Sequence, residues 1–173
     1  MNTLGLVFHP HLHDGSRINR TLAETAAAAP SVTVRDEYAL YPDFRIDAEA
    51  EQEALLAADR VVWQFPMYWY SSPALLKQWE DTVLRHGWAF GTGGDKLHGK
   101  ELMAAVSVGG SSDKYRHDGE FGVIVPELLK PLEATAKHIG MTWLEPFTIH
   151  GTMKVTDEEL DEAARRYAAL LTA

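Results

Sequence analysis

The sequence predicts an α/β fold: a doubly wound, five-stranded parallel sheet in strand order 2-1-3-4-5, with helices on both faces. Three observations carry this. Short apolar runs alternate five times with segments of helical spacing. The turn after the first run has a single glycine, Gly15, and no G-x-G-x-x-G, which removes the dinucleotide-binding order. Gly91, Gly93 and Gly94 cluster after a helix rather than after a strand, the wrong context for that fingerprint. Third, no linker, repeat or composition break divides residues 1–173, so one domain is expected.

The first strand is read over Thr3–Phe8, ending at His9-Pro10. A helix follows in "RINRTLAETAAAA", where Ile18, Leu22 and Ala26 share one face and Ser16 stands at the N-cap. Val32–Asp36 alternates as a second strand, and "YPDF" makes a turn. Asp47 caps a helix running to Ala58. "DRVVWQFPM" is the third strand, ending at Pro66. Ser72-Pro73 opens a helix whose apolar face is Leu75, Leu76, Trp79, Val83 and Leu84. A glycine-rich loop leads to the fourth strand, "ELMAAVSVGG", and Ser111–Gly119 is a polar loop. Phe121–Ile139 reads as mostly helical, with Pro126 and Pro131 near its start or at a kink. "MTWLEPFTIHG" is the fifth strand; Pro146 inside it suits an edge. Thr156 and Glu159 form a capping box before a last amphipathic helix.

Composition narrows the function classes. The chain is 46% hydrophobic and 24% charged, so it has material for a core. It contains no cysteine, which removes disulfides, thiolate nucleophiles and cysteine-ligated clusters. No apolar run is long enough to cross a bilayer, and the first residues read as a strand rather than a leader. A cytoplasmic location is expected. The formal net charge is −9 with no dense basic cluster, so nucleic acid is not an expected partner. The acidic stretches 47–53 and 156–162 read as solvated helix faces.

Three loops should meet beyond the carboxyl ends of the strands, where ligands bind in this strand order. The first, His9 to Asn19, offers a helix N-terminus with Gly15, Ser16, Arg17 and Asn19. It reads either as a phosphate cradle or as an ordinary capped helix. Its three histidines, His9, His11 and His13, raise a metal reading. Pro10 and Gly15 favour a turn over a ligating strand, and no further ligand cluster is evident, so no metal is expected. The second loop, "WQFPMYWYSSP", places Tyr68, Trp69 and Tyr70 after the strand ends, where rings can meet a flat ligand or pack under a helix. The third, "SVGGSSDKYRHDG", offers a close backbone approach at Gly109 and Gly110, then Tyr115 and His117 as hydrogen-bond donors or exposed loop residues. A phosphate site, an aromatic platform and a glycine edge together suit FMN.

The stretches "HPHLHDGSRIN", "LYPDFRID", "VVWQFPMYWYSSPALLKQWEDTVLRHGWAFG", "LHGK" and "VSVGG" resemble the flavodoxin-like NAD(P)H:quinone oxidoreductases. The similarity is greatest to the small bacterial branch that includes the ancillary oxidoreductase of a potassium-efflux system, and more distant to DT-diaphorase. It covers essentially the whole chain. The resemblance implies bound FMN, held by His9, Ser16, Arg17, Ile18, Asn19, Pro66, Met67, Tyr68, Trp69, Ser107, Val108, Gly109 and Gly110. It implies NAD(P)H as cosubstrate, a quinone-like acceptor, and two-electron hydride transfer by a ping-pong route. It also implies a homodimer with sites at the interface. Tyr115 stands where the diaphorase branch has a substrate-facing tyrosine; His117 follows it more closely than that branch's histidine does. Alternative functions are a regulatory subunit bound to a membrane potassium-efflux protein at the inner face of the membrane, and a one-electron carrier. The aromatics from Tyr68 to Trp88 favour a substrate pocket over a carrier.

Overall fold

A computed structural model describes residues 1–173. The strands are β1 (Thr3–Val7), β2 (Val32–Asp36), β3 (Arg60–Pro66), β4 (Glu101–Val108), β5 (Thr142–Trp143) and β6 (Phe147–His150). The helices are α1 (Arg17–Ala27), α2 (Glu37–Leu40), α3 (Ala48–Ala57), α4 (Ala74–Val83), α5 (Val125–Leu128), α6 (Lys130–His138) and α7 (Asp157–Thr172). All pairings are parallel, in the order β2-β1-β3-β4-β5, with β6 also on β4. The expected strand order is therefore the observed one.

Every residue of β3 is buried, as both-face coverage of a central parallel strand requires. Side chains alternate between two cores. Trp63 and Phe65 face α3, α4 and α6, where Trp63 and Phe8 each meet Trp79 edge-to-face, at 5.9 and 6.1 Å. Val62, Met103 and Ala105 face α1 and α7, with Leu22, Leu160 and Tyr167. The expected apolar face of α4 is buried in full. Ser16, Asp47 and Thr156 cap their helices as expected, each accepting from a backbone N–H three residues on.

Four local readings change. The fifth strand is two segments: Glu145-Pro146 carries the chain between β5 and β6, because Pro146 has no N–H for the ladder. The long helix after Phe121 starts only at Val125 and breaks between α5 and α6; Pro126 and Pro131 each sit within a helix's first two positions, where a missing N–H costs nothing. The short helix α2, capped by Asp36, precedes the expected turn. And Glu51, placed by sequence on a solvated face, is fully buried.

The register brings Val7, Asp36, Pro66, Val108 and His150 to one edge of the sheet. The loops after β1, β3, β4 and β6 start there.

Candidate functional site

His9 leaves β1 into this crevice with 8% of its surface exposed. The backbone N–H of His11 donates to its Nδ1 at 3.0 Å. Nδ1 is therefore the acceptor, and the ring proton sits on Nε2. Burial, then the neighbouring His11, lowers the pKa of His9, so the ring is neutral at pH 7. The other two histidines go elsewhere: His11 faces Asp14 at 3.6 Å, and His13 Nε2 lies 2.9 Å from Asp36.

At the start of α1, Ser16 Oγ accepts from the Asn19 N–H at 3.1 Å. The first-turn N–H groups of Arg17 and Ile18 have no intrahelical acceptor and carry the positive end of the helix dipole. The Arg17 side chain leans toward α7, donating to the Val155 carbonyl at 2.8 Å and to Asp157 at 2.5 Å. Ile18 is a core side chain. Both can serve a ligand at this point through their backbone. Asn19 is buried and donates from Nδ2 to Ser107 Oγ at 2.8 Å.

After β3, Pro66 is buried and the Met67 N–H donates to the Ser107 carbonyl at 2.8 Å. Tyr68 and Ser71 exchange two backbone bonds of 3.0 Å. Between them Trp69 and Tyr70 have φ of 49° and 63°. Turns with two left-handed residues ordinarily use Asn or Gly, and two aromatic side chains there are strained. Backbone strain concentrates at functional sites. The turn thrusts Trp69 outward, 92% exposed.

After β4, Val108 is buried, and a Cβ on Gly109 would meet open space. A Cβ on Gly110 would stand 2.9 Å from the Tyr115 ring, so the glycine permits that ring to lie against the backbone. The N–H groups of Trp69, Tyr70, Gly109 and Gly110 have no hydrogen-bond acceptor in the protein. Met67, Trp69, Tyr70, Gly110, Tyr115 and Phe121 line a cleft of about 280 Å³ between the two loops. A larger groove, about 640 Å³, runs between α4 and α6 and takes in none of the strand-end loops.

Tyr115 is held between Phe121, at 5.0 Å, and His150, at 5.6 Å between ring centroids. Burial raises its pKa, so its hydroxyl stays a donor. His117 does not join it. Its side chain is 67% exposed and lies 3.8 Å from Glu127. His150, which the sequence reading passed over, is the histidine against Tyr115; burial lowers its pKa, and its Nδ1 is buried without a partner.

A family model described as flavodoxin-like fold matches residues 1–171. The chain belongs to this family. Within the flavodoxin-like family its relatives match end to end. An uncharacterized NAD(P)H oxidoreductase of Bacillus subtilis, YrkL, is 49% identical, over 100% of this chain and 99% of its own. The glutathione-regulated potassium-efflux system ancillary protein KefF of Salmonella typhi is 47% identical, over 95% and 92%. Among solved structures, general stress protein 14 of Treponema denticola in complex with FMN superposes with a TM-score of 0.93 at 39% identity, over 99% and 98%. An NADPH-quinone reductase of P. pentosaceus gives 0.90 at 31% identity, over 99% and 98%.

Besides His150, two polar residues of this flavodoxin-like chain are not singled out by the sequence, Gln64 and Tyr167. A signal for the first was present: a glutamine between Trp63 and Phe65 in an otherwise apolar strand needs a buried partner.

Proposed function

We propose that the protein is an FMN-dependent NAD(P)H:quinone oxidoreductase. One observation carries the reading: four backbone donors, at Trp69, Tyr70, Gly109 and Gly110, stand without acceptors around an open cleft. A helix N-terminus opens onto the same edge of the sheet. Such a site asks for a planar ligand rich in acceptors that ends in an anion. FMN has that chemistry, and the relatives' names point the same way.

In this reading the His9 Nε2–H, the Ser16 hydroxyl and the N–H groups of Arg17 and Ile18 hold the phosphate. The chain from Pro66 to Trp69 and from Ser107 to Gly110 holds the ring system, with the free N–H groups meeting its polar edge. When bound, FMN supplies two-electron redox chemistry between a reduced nicotinamide and a quinone. The net reaction is NAD(P)H plus a proton plus quinone, giving NAD(P)⁺ and hydroquinone. The protein's part is to bind, orient and exclude water. Tyr115, protonated and set against Gly110, donates a hydrogen bond to the acceptor's oxygen. Trp69 and Tyr70 cover the cleft, and their exposure supports a homodimer in which a second copy closes over them.

The test is oxidation of NADPH and of NADH by apoprotein with a soluble benzoquinone, with and without added FMN. Turnover should require FMN and give parallel initial-rate lines. An FMN-saturated protein that turns over neither nicotinamide would sink the reading. The similarity to KefF favours a second role, as an ancillary subunit of a potassium-efflux protein at the inner face of the membrane. Co-purification with such a membrane protein tests it, and monomeric sedimentation of the holoprotein would remove the dimer.

A further inference from the structure

A chain of buried hydrogen bonds crosses the fold from α7 to the crevice. Tyr167, 1% exposed, donates its hydroxyl to Gln64 Oε1 at 3.0 Å. Gln64 Nε2 donates to the Asn19 carbonyl at 2.8 Å and lies 3.4 Å from Asn19 Oδ1. Asn19 Nδ2 donates to Ser107 Oγ at 2.8 Å.

The direction of this chain is fixed. The Asn19 carbonyl can only accept, so the nearer Gln64 atom must be the NH₂. Gln64 Oε1 then faces Tyr167 and must accept. Asn19 presents Oδ1 to the Gln64 NH₂, so its own NH₂ faces Ser107. Ser107 Oγ accepts from Asn19, and its own proton has no acceptor within the protein. Ser16 is in the same state: its Oγ accepts from the Asn19 N–H, leaving its proton free. Both hydroxyls end at the crevice as donors.

The geometry points to Tyr167 and Gln64 as positioning residues for the ligand site: they set Asn19's orientation and so present Ser107 as a hydrogen-bond donor to the bound ligand. The inference rests on the FMN reading for the identity of that ligand. Tyr167 never touches the ligand. It acts from α7, on the same face of the sheet as Gln64, Asn19 and Ser107, through three hydrogen bonds. Removing its hydroxyl leaves Gln64 Oε1 without a partner in a dry interior and frees the amide to turn.

The experiment is fluorescence titration of FMN into apoprotein: wild type, Tyr167→Phe, Ser107→Ala, the double variant, and Leu160→Ala as a control. Leu160 is buried in the same helix and outside the chain of hydrogen bonds. Urea unfolding of each apoprotein is measured alongside. Tyr167→Phe keeps the ring and its packing on Phe147. It should weaken FMN binding about tenfold, the scale of one lost buried hydrogen bond. Leu160→Ala should lower the urea midpoint at least as much and leave FMN affinity unchanged. In the Ser107→Ala background, Tyr167→Phe should cost no further affinity. Wild-type affinity in Tyr167→Phe, equal loss in the Leu160→Ala control, or full additivity with Ser107→Ala would each overturn the inference while wild type binds FMN. A wild type that does not quench FMN fails the functional reading instead.

Discussion

Two buried polar clusters lie on opposite faces of the sheet. On the α1/α7 face, Tyr167, Gln64, Asn19 and Ser107 are neutral, and each hydrogen bond leads to the next. On the α3/α4 face, Arg35 meets two carboxylates, Glu37 and Glu51, both with no exposed side-chain surface. Glu51 is well served, accepting from Arg35 at 2.5 Å, Tyr41 at 2.7 Å and Trp79 at 2.9 Å. Glu37 is not: both its oxygens lack a hydrogen-bond partner. Burial, and then the charge of Glu51, push its pKa up to about 8. The neutral cluster is directional and ends at the crevice beyond the strands. The charged one is over-supplied with carboxylate and ends inside the helix layer. Polarity in a core thus has two uses here, aiming donors at a site and bracing helices, and the two should respond to different perturbations.

The largest effect should come from Glu51→Ala. It strands two buried donors, the Tyr41 hydroxyl and the Trp79 N–H, and leaves Arg35 with Glu37 alone, at 3.5 Å; each stranded donor costs about 1–3 kcal/mol. Urea unfolding reads that loss. Any protein that still folds should bind FMN as wild type does, which keeps the two clusters separate. Glu37→Gln should act through pH. Glu37 holds its proton more tightly folded than unfolded, so between its ordinary 4.5 and about 8 stability falls as pH rises. The glutamine variant should flatten that slope, seen in urea midpoints at pH 5, 6.5 and 8. A slope unchanged by the substitution would show that Glu37 does not carry it. The smallest effect belongs to Arg17→Ala. Its pair with Asp157 is largely exposed, worth less than about 1 kcal/mol. Because the guanidinium is turned to Val155 and Asp157, FMN affinity should change less than about twofold, well under one hydrogen bond.

What the sequence discloses follows from what is local. Apolar runs and caps placed β1, β3, β4, α1, α4 and α7, because periodicity and N-cap chemistry act within a few residues. The strand-end loops followed from topology, so His9, Ser16, Asn19, Ser107, Gly109 and Gly110 come to one edge as expected. Partnerships across the fold were not legible. Nothing near Glu51 says that Arg35, Tyr41 and Trp79 will bury it. His117 lies two residues from Tyr115, yet His150, 35 residues after that tyrosine, is the ring that packs against it. The turn at Trp69-Tyr70 was hidden for a different reason: its backbone is one that these side chains resist, and only the surrounding structure imposes it.

The most direct measurement is one side-by-side FMN titration of wild-type, Tyr167→Phe and Glu37→Gln apoprotein, followed by quenching of flavin fluorescence. Saturable one-to-one binding is expected in wild type, unchanged in Glu37→Gln and about tenfold weaker in Tyr167→Phe. Flavin fluorescence left unquenched by wild type would contradict the account at its centre, and equal weakening in both variants would contradict the division of labour between the two clusters.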